Sequence, residues 1–197
     1  ITSIIGDFFV DKPESCGPAM PTFAAKVVDA EGKTLPQGES GELWIRGASV
    51  IKGYINQEEA TAETITDGWL HTGDVARIDE HGFIFIVDRV KDMVLRGGEN
   101  VYCSEVEAVL HKLDEIAECS VFGVEDNRLG EEVGVSIFLT PGTDISADDI
   151  REFCLAHMAM YKSPRYIWFS PEPLPRNASG KFLKRELRDT LNVADAV

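Results

Sequence analysis

The chain has 197 residues, with 44% apolar and 27% charged side chains, the balance of an ordinary globular protein able to bury a real core. Nineteen basic against 34 acidic residues leave a net charge of −15, which argues against general DNA or anionic-membrane binding. Any anionic small molecule must therefore be met by a local basic patch.

In chain order, the first 88 residues read as short strands separated by turns. Residues 24–29 end in a turn at 30–33, residues 42–46 sit between glycines, and residues 69–79 carry a broken apolar alternation. Residues 83–87 are nearly all apolar, which predicts a strand covered on both faces. A helix is expected at 58–64. From residue 89 strands alternate with helices. The sequence Ser104-Glu105-Val106-Glu107 predicts a capping box opening a helix, with Val106, Val109, Leu110 and Leu113 on one face. Residues 119–124 and 133–140 read as strands. Ser146 predicts an N-cap for a helix whose apolar face is Ile150, Phe153, Cys154 and Met158. A short strand at 166–169 and a proline-rich extended loop follow. A last helix is expected to carry Leu183, Leu187 and Leu191.

The longest uncharged runs are too short to span a bilayer as a helix. The four cysteines have no C-x-x-C spacing and the four histidines form no metal-ligand pattern, so reduced thiols and no metal site are expected. The sequence starts at Ile1 with no basic, apolar leader, and is expected to begin within a longer protein, in the cytoplasm.

Four segments can carry chemistry. In His71-Thr72-Gly73-Asp74 a carboxylate beside a tight turn can accept two hydrogen bonds from vicinal hydroxyls, or simply satisfy its own backbone. Asp88-Arg89-Val90-Lys91-Asp92 reads as a solvated linker or a hinge. Gly97-Gly98 suits a hairpin turn, or a place where backbone lets a narrow ligand pass. Asn177-Ala178-Ser179-Gly180-Lys181 superficially suggests a P-loop, but Pro175 and Phe182 break that pattern. Between Lys162 and Arg188 seven basic residues face only Glu172 and Glu186, a local charge of +5 that can steer a phosphate-bearing ligand.

In order and separation these motifs, with Gly41-Glu42-Leu43, Gly53-Tyr54, Glu105-Val106-Glu107 and Leu174-Pro175-Arg176, resemble the carboxyl-terminal motifs of the adenylate-forming superfamily. That family holds acyl-CoA synthetases, peptide-synthetase adenylation domains and luciferases. The resemblance extends from about residue 17 onward. It implies an α+β fold: a β-rich, partial barrel-like subdomain over residues 1–88, part of a larger AMP-binding domain, then a small mobile α+β domain over 89–197. It implies a two-step reaction in which ATP converts a carboxylic acid to an acyl-adenylate and coenzyme A then displaces AMP. By the same resemblance Asp74 and Arg89 meet the AMP ribose, Lys91 is the hinge, Gly98 lines the coenzyme A channel, and Lys181 is the catalytic lysine of adenylation. Mg²⁺ is expected to arrive with ATP.

Within the family, the segment from Arg89 to Val101 looks like fatty or aryl acyl-CoA ligases, and a fatty acid is the expected substrate. Asp88 and Asn100 depart from the pattern of other branches, and Asn100 leaves a coenzyme A contact there undefined. The phosphate loop and acyl pocket of the family are absent from these residues, so the chain by itself is expected to be inactive. The alternatives are an adenylation domain of another adenylate-forming enzyme and a non-catalytic binding module. Small-molecule partners, no nucleic acid and no transmembrane segment are expected, with homo-oligomerisation left open.

Overall fold

The computed structural model describes residues 2–4 and 6–197. The architecture is α+β. It divides into two compact units, residues 1–91 and 92–197.

The first unit contains α1 (Asp7–Asp11), β1 (Gly17–Pro18), β2 (Phe23–Val28), β3 (Ser40–Gly47), α2 (Glu58–Thr64), β4 (Ile65–Thr66), β5 (Trp69–Ile78) and β6 (Phe83–Arg89). The strands form one curled antiparallel sheet in the order β1-β6-β5-β3-β2, with β4 added on β5. Alternation along β5 is broken because the ladder slips twice, between Glu42 and Trp44 on β3 and between Val75 and Ala76 on β5. Each slip shifts which side chains face the core formed by Leu43, Ile45, Ala76 and Ile84. The expectation that residues 83–87 are covered on both faces does not hold. Phe83 and Ile84 are buried, but Ile86 is 48% exposed. Phe85 lies under the Arg77 guanidinium, 3.9 Å from it, so one face of β6 is lined by a cation rather than by a second layer. Strand β6 also runs through Asp88 and Arg89, so the first unit closes at Lys91, beyond the change of texture in the sequence.

A 3-10 turn, Val90–Asp92, leads into the second unit. That unit contains β7 (Val94–Arg96), β8 (Glu99–Val101), α3 (Cys103–Leu110), β9 (Ile116–Asp126), β10 (Gly130–Leu139), α4 (Ala147–His157), β11 (Tyr166–Ser170) and α5 (Lys184–Thr190). The long β9–β10 hairpin is its spine. Strand β11 pairs parallel with β10, and β7 joins β10 at Gly130. The spine is buried on both faces, hence its nearly continuous apolar sequence. One face packs Val121, Val133, Val135 and Ile137 against Val106 and Leu110 of α3 and Ile150 and Cys154 of α4. The other packs Phe122, Val124 and Trp168 against Leu187 of α5.

Two helix starts differ in outcome. Ser146 caps α4 with a full capping box, its hydroxyl accepting from the Asp149 amide. Helix α3 starts earlier than expected, at Cys103 after Tyr102, with no side-chain cap. Glu107 accepts from the Val121 amide at 2.8 Å and from Lys184 at 2.9 Å, tying α3 to β9 and α5. The last helix is also shorter than the leucine spacing implies. Leu183 and Leu191 are its flanking residues, and only Leu187 lies buried within it.

Candidate active site

Asp74 and Arg89 are register partners on β5 and β6. The Arg89 Nε lies 3.3 Å from Asp74 Oδ1, and both side chains remain partly exposed. The backbone here is shaped by its neighbours on β3. The Thr72 hydroxyl donates to the Leu43 carbonyl at 2.7 Å and accepts from the Asp74 amide at 3.1 Å. The Gly73 amide donates to Glu42 Oε1 at 3.1 Å, and Gly73 sits at φ 70°, a conformation that favours glycine. Glu42 is held in turn by the Trp44 indole, whose ring stacks on His71 at 3.9 Å. Thr72 thus takes the part that a turn aspartate would play for itself. Asp74 keeps its carboxylate outward, with no partner at Oδ2 among the described residues, which suits a ligand bearing hydroxyl donors.

Lys91 lies in the 3-10 turn and is the last residue of the first unit. Gly97 and Gly98 form the two-residue loop of the β7–β8 hairpin, closed by Arg96 opposite Glu99. Their φ values, 60° and 93°, are both positive, as a hairpin turn of this type needs. A Cβ at Gly98 would meet no atom within 4 Å, so this glycine is set by backbone conformation and leaves open space beside the turn. Arg96 anchors the hairpin through a two-point bond to Glu132 of β10, at 2.6 and 3.1 Å. Glu132 is 1% exposed and also pairs with Arg165 at 3.2 Å, which raises the arginine above its ordinary value.

Lys181 is exposed at the end of a second tight turn. Asn177 Oδ1 accepts from the Ser179 amide, the Ser179 hydroxyl and the Lys181 amide, at 3.0, 2.9 and 2.9 Å. The turn is closed by bonds between the Asn177 and Lys181 backbones and by Gly180 at φ 82°. The Lys181 ammonium forms no ion pair among the described residues. The +5 charge of its surroundings does not survive folding. Lys162 pairs with Glu105, Arg165 with Glu132, Arg176 with Glu118, Lys184 with Glu107 and Arg185 with Asp189. Of the seven cations, Lys181 and Arg188 are left without an ion pair among the described residues. Sequence reasoning quoted Glu42, Thr72 and Arg176 within motifs without giving them a supporting role, and it did not single out Glu118 or Glu132 at all. Their partners are mostly tens of residues away, so no spacing rule reveals the contacts.

Among the described residues no group of three or more His, Cys, Asp or Glu side chains is arranged to hold a metal ion. All four cysteines are free thiols. No described helix is long and apolar enough to cross a membrane.

Comparison with known families gives the class. The family described as AMP-binding enzyme C-terminal domain matches residues 105–181, ending at Lys181, and the family described as AMP-binding enzyme matches residues 3–55. The chain belongs to the AMP-binding, adenylate-forming superfamily. Among particular relatives, it is 39% identical over 189 residues to a 2-succinylbenzoate–CoA ligase of Bacillus cereus, covering 95% of this chain and 38% of the relative. It is 46% identical over 153 residues to the 3-[(3aS,4S,7aS)-7a-methyl-1,5-dioxo-octahydro-1H-inden-4-yl]propanoyl:CoA ligase of Rhodococcus jostii, covering 77% of this chain and 30% of that one. Its fold is similar to o-succinylbenzoate CoA synthetase of Bacillus subtilis in complex with the acyl-adenylate intermediate. The TM-score is 0.85 and the identity 34%, over 97% of this chain and 39% of that one. The same synthetase in complex with ATP and magnesium ion gives a TM-score of 0.81 at 34% identity, over 97% of this chain and 38% of that one. The chain spans less than two fifths of the length of the relatives named here.

Proposed function

We propose that these residues are the carboxyl-terminal part of an ATP-dependent acid–thiol ligase working in the cytoplasm. The carboxylate of the acid attacks the α-phosphorus of ATP, forming acyl-AMP and releasing pyrophosphate. The thiol sulfur of coenzyme A then attacks the acyl carbon, forming the thioester and releasing AMP. Asp74 accepts from the ribose hydroxyls, and Arg89, 3.3 Å from its Oδ1, holds that carboxylate in place. Lys181 stabilises charge on the phosphate and carboxylate oxygens during adenylation, where a long flexible cation is effective. Gly98 leaves room for the pantetheine arm, and Lys91 is the pivot between two orientations of the second unit, residues 92–197. Magnesium comes with ATP, neutralising its phosphates.

The observation that carries this reading is Lys181. Among the described residues it stands without an ion pair on a firmly held turn, while most neighbouring cations are neutralised. As for the acid, the expectation of a fatty acid finds no support in the named relatives. Both are named for acids that carry rings, so a ring-bearing carboxylic acid is the favoured substrate class. The test is AMP release and thioester formation by the native gene product carrying these residues, given ATP, coenzyme A and matched panels of aryl, alicyclic and straight-chain acids. Turnover of straight-chain acids alone would overturn the ring-bearing class. No coenzyme A-dependent AMP release with any acid would overturn the ligase reading. Residues 1–197 in isolation are expected to be inactive.

A further inference from the structure

The peptide group joining Gly180 to Lys181 is held at both ends. Its N–H donates to Asn177 Oδ1 at 2.9 Å, and its C=O accepts from Arg176 Nη1 at 2.8 Å. The other guanidinium nitrogen, Nη2, donates to Glu118 Oε1 at 3.0 Å, and Glu118 Oε2 accepts from the Leu174 amide at 2.8 Å. The guanidinium carbon also lies 3.9 Å from the centroid of the ring of Phe182, the residue after the lysine. Glu118 belongs to β9, the spine of its unit, and is 58 residues away from Arg176. An ion pair this exposed, 42% and 20%, adds little to global stability. Its geometry instead ties one specific backbone group, the one from which the Lys181 side chain departs, to the central β9–β10 hairpin of the unit.

We propose that Arg176 and Glu118 are positioning residues for the adenylation step: through the Gly180 carbonyl they fix the base of Lys181 while its side chain stays free to reach. The proposal rests on the reading of Lys181 as the adenylation lysine. A rigid base with a mobile arm lowers the cost of placing the cation on developing charge, and a misplacement of about 1 Å can cost about a hundredfold in rate.

The test uses the native gene product with Arg176→Met, which keeps much of the packing on Phe182, and Glu118→Gln, which keeps an acceptor for Leu174. Amide exchange at residues 177–182, ATP–pyrophosphate exchange and thioester formation from supplied acyl-adenylate are measured beside Lys181→Ala. The expected result is faster exchange at Gly180 and Lys181 and an adenylation kcat lower by about tenfold or more, with the KM for ATP and the thioester step within about twofold. The double variant falls no further than the worse single one, because both act through one contact. Unaltered amide exchange in both variants, or loosened amides with adenylation within about twofold, overturns the proposal while Lys181→Ala is inactive. Should Lys181→Ala itself retain adenylation, the reading of Lys181 is what fails, and the positioning role falls with it.

Discussion

The Lys162 Nζ lies 2.7 Å from both carboxylate oxygens of Glu105, a residue 57 positions earlier in the chain. This contact represents a wider pattern. Four glutamates between residues 105 and 132 reach across to cations between 162 and 184, so a segment with a formal charge of +5 folds into a nearly balanced surface. What is left for a ligand is two unpaired cations among the described residues, Lys181 and Arg188, of which Lys181 stands on the tight turn.

The unpaired Lys181 leads to the first prediction. Lys181→Ala is expected to lower adenylate formation about 10²–10³-fold, the loss typical of removing one group that stabilises transition-state charge. Thioester formation from supplied acyl-AMP should continue. Separate assays of the two half-reactions check this, and an equal loss in both would reject the assignment.

Asp74→Ala is expected to weaken AMP and ATP binding by about 1.5–3 kcal/mol, the range for hydrogen bonds to a charged group. The effect should nearly vanish with a 2′,3′-dideoxy nucleotide, which has no vicinal hydroxyls. Calorimetry with both nucleotides decides, and equal losses would exclude the ribose contact.

Lys91 lies in a 3-10 turn, where φ is already near the value proline imposes. Lys91→Pro should therefore fold but resist the backbone rotation a pivot needs. Adenylation is expected to persist and the thioester step to slow strongly. Wild-type rates for both steps would mean that the pivot lies elsewhere.

The thiols supply a pH prediction. Burial, with the nearby Glu107 carboxylate, pushes Cys119 up to about 12 against the opposing pull of Lys184, and burial pushes Cys154 up to about 11. Unfolded thiols ionise near pH ~8.5. Above that pH the unfolded chain holds fewer protons than the folded one, so stability should fall as pH rises toward 11–12. Cys119→Ala should flatten this alkaline loss in urea unfolding measured against pH. Folded protein at pH ~8 should leave both cysteines unalkylated by iodoacetamide. Rapid labelling of Cys119 before unfolding would contradict the burial argument.

Sequence alone determined much of the local structure. Helix α2 matches its expected bounds, Ser146 is the N-cap its position predicts, and the long strands β9 and β10 lie where apolar runs put them. These features depend on neighbours a few residues apart, and short-range rules describe such neighbours well. The motif order was enough to give the superfamily. The tertiary structure alone decided three other matters. It engaged Glu107 with Val121 and Lys184, and it started α3 at Cys103. It left Ile86 exposed where a buried strand was expected. It cancelled the basic segment with distant glutamates and braced Lys181 through Arg176 and Glu118. Each of these turns on which side chains meet across a sheet or between elements far apart in the chain. Electrostatic and packing energies depend on separation in space, so a charge counted in a sequence window has no fixed meaning until folding supplies its partner.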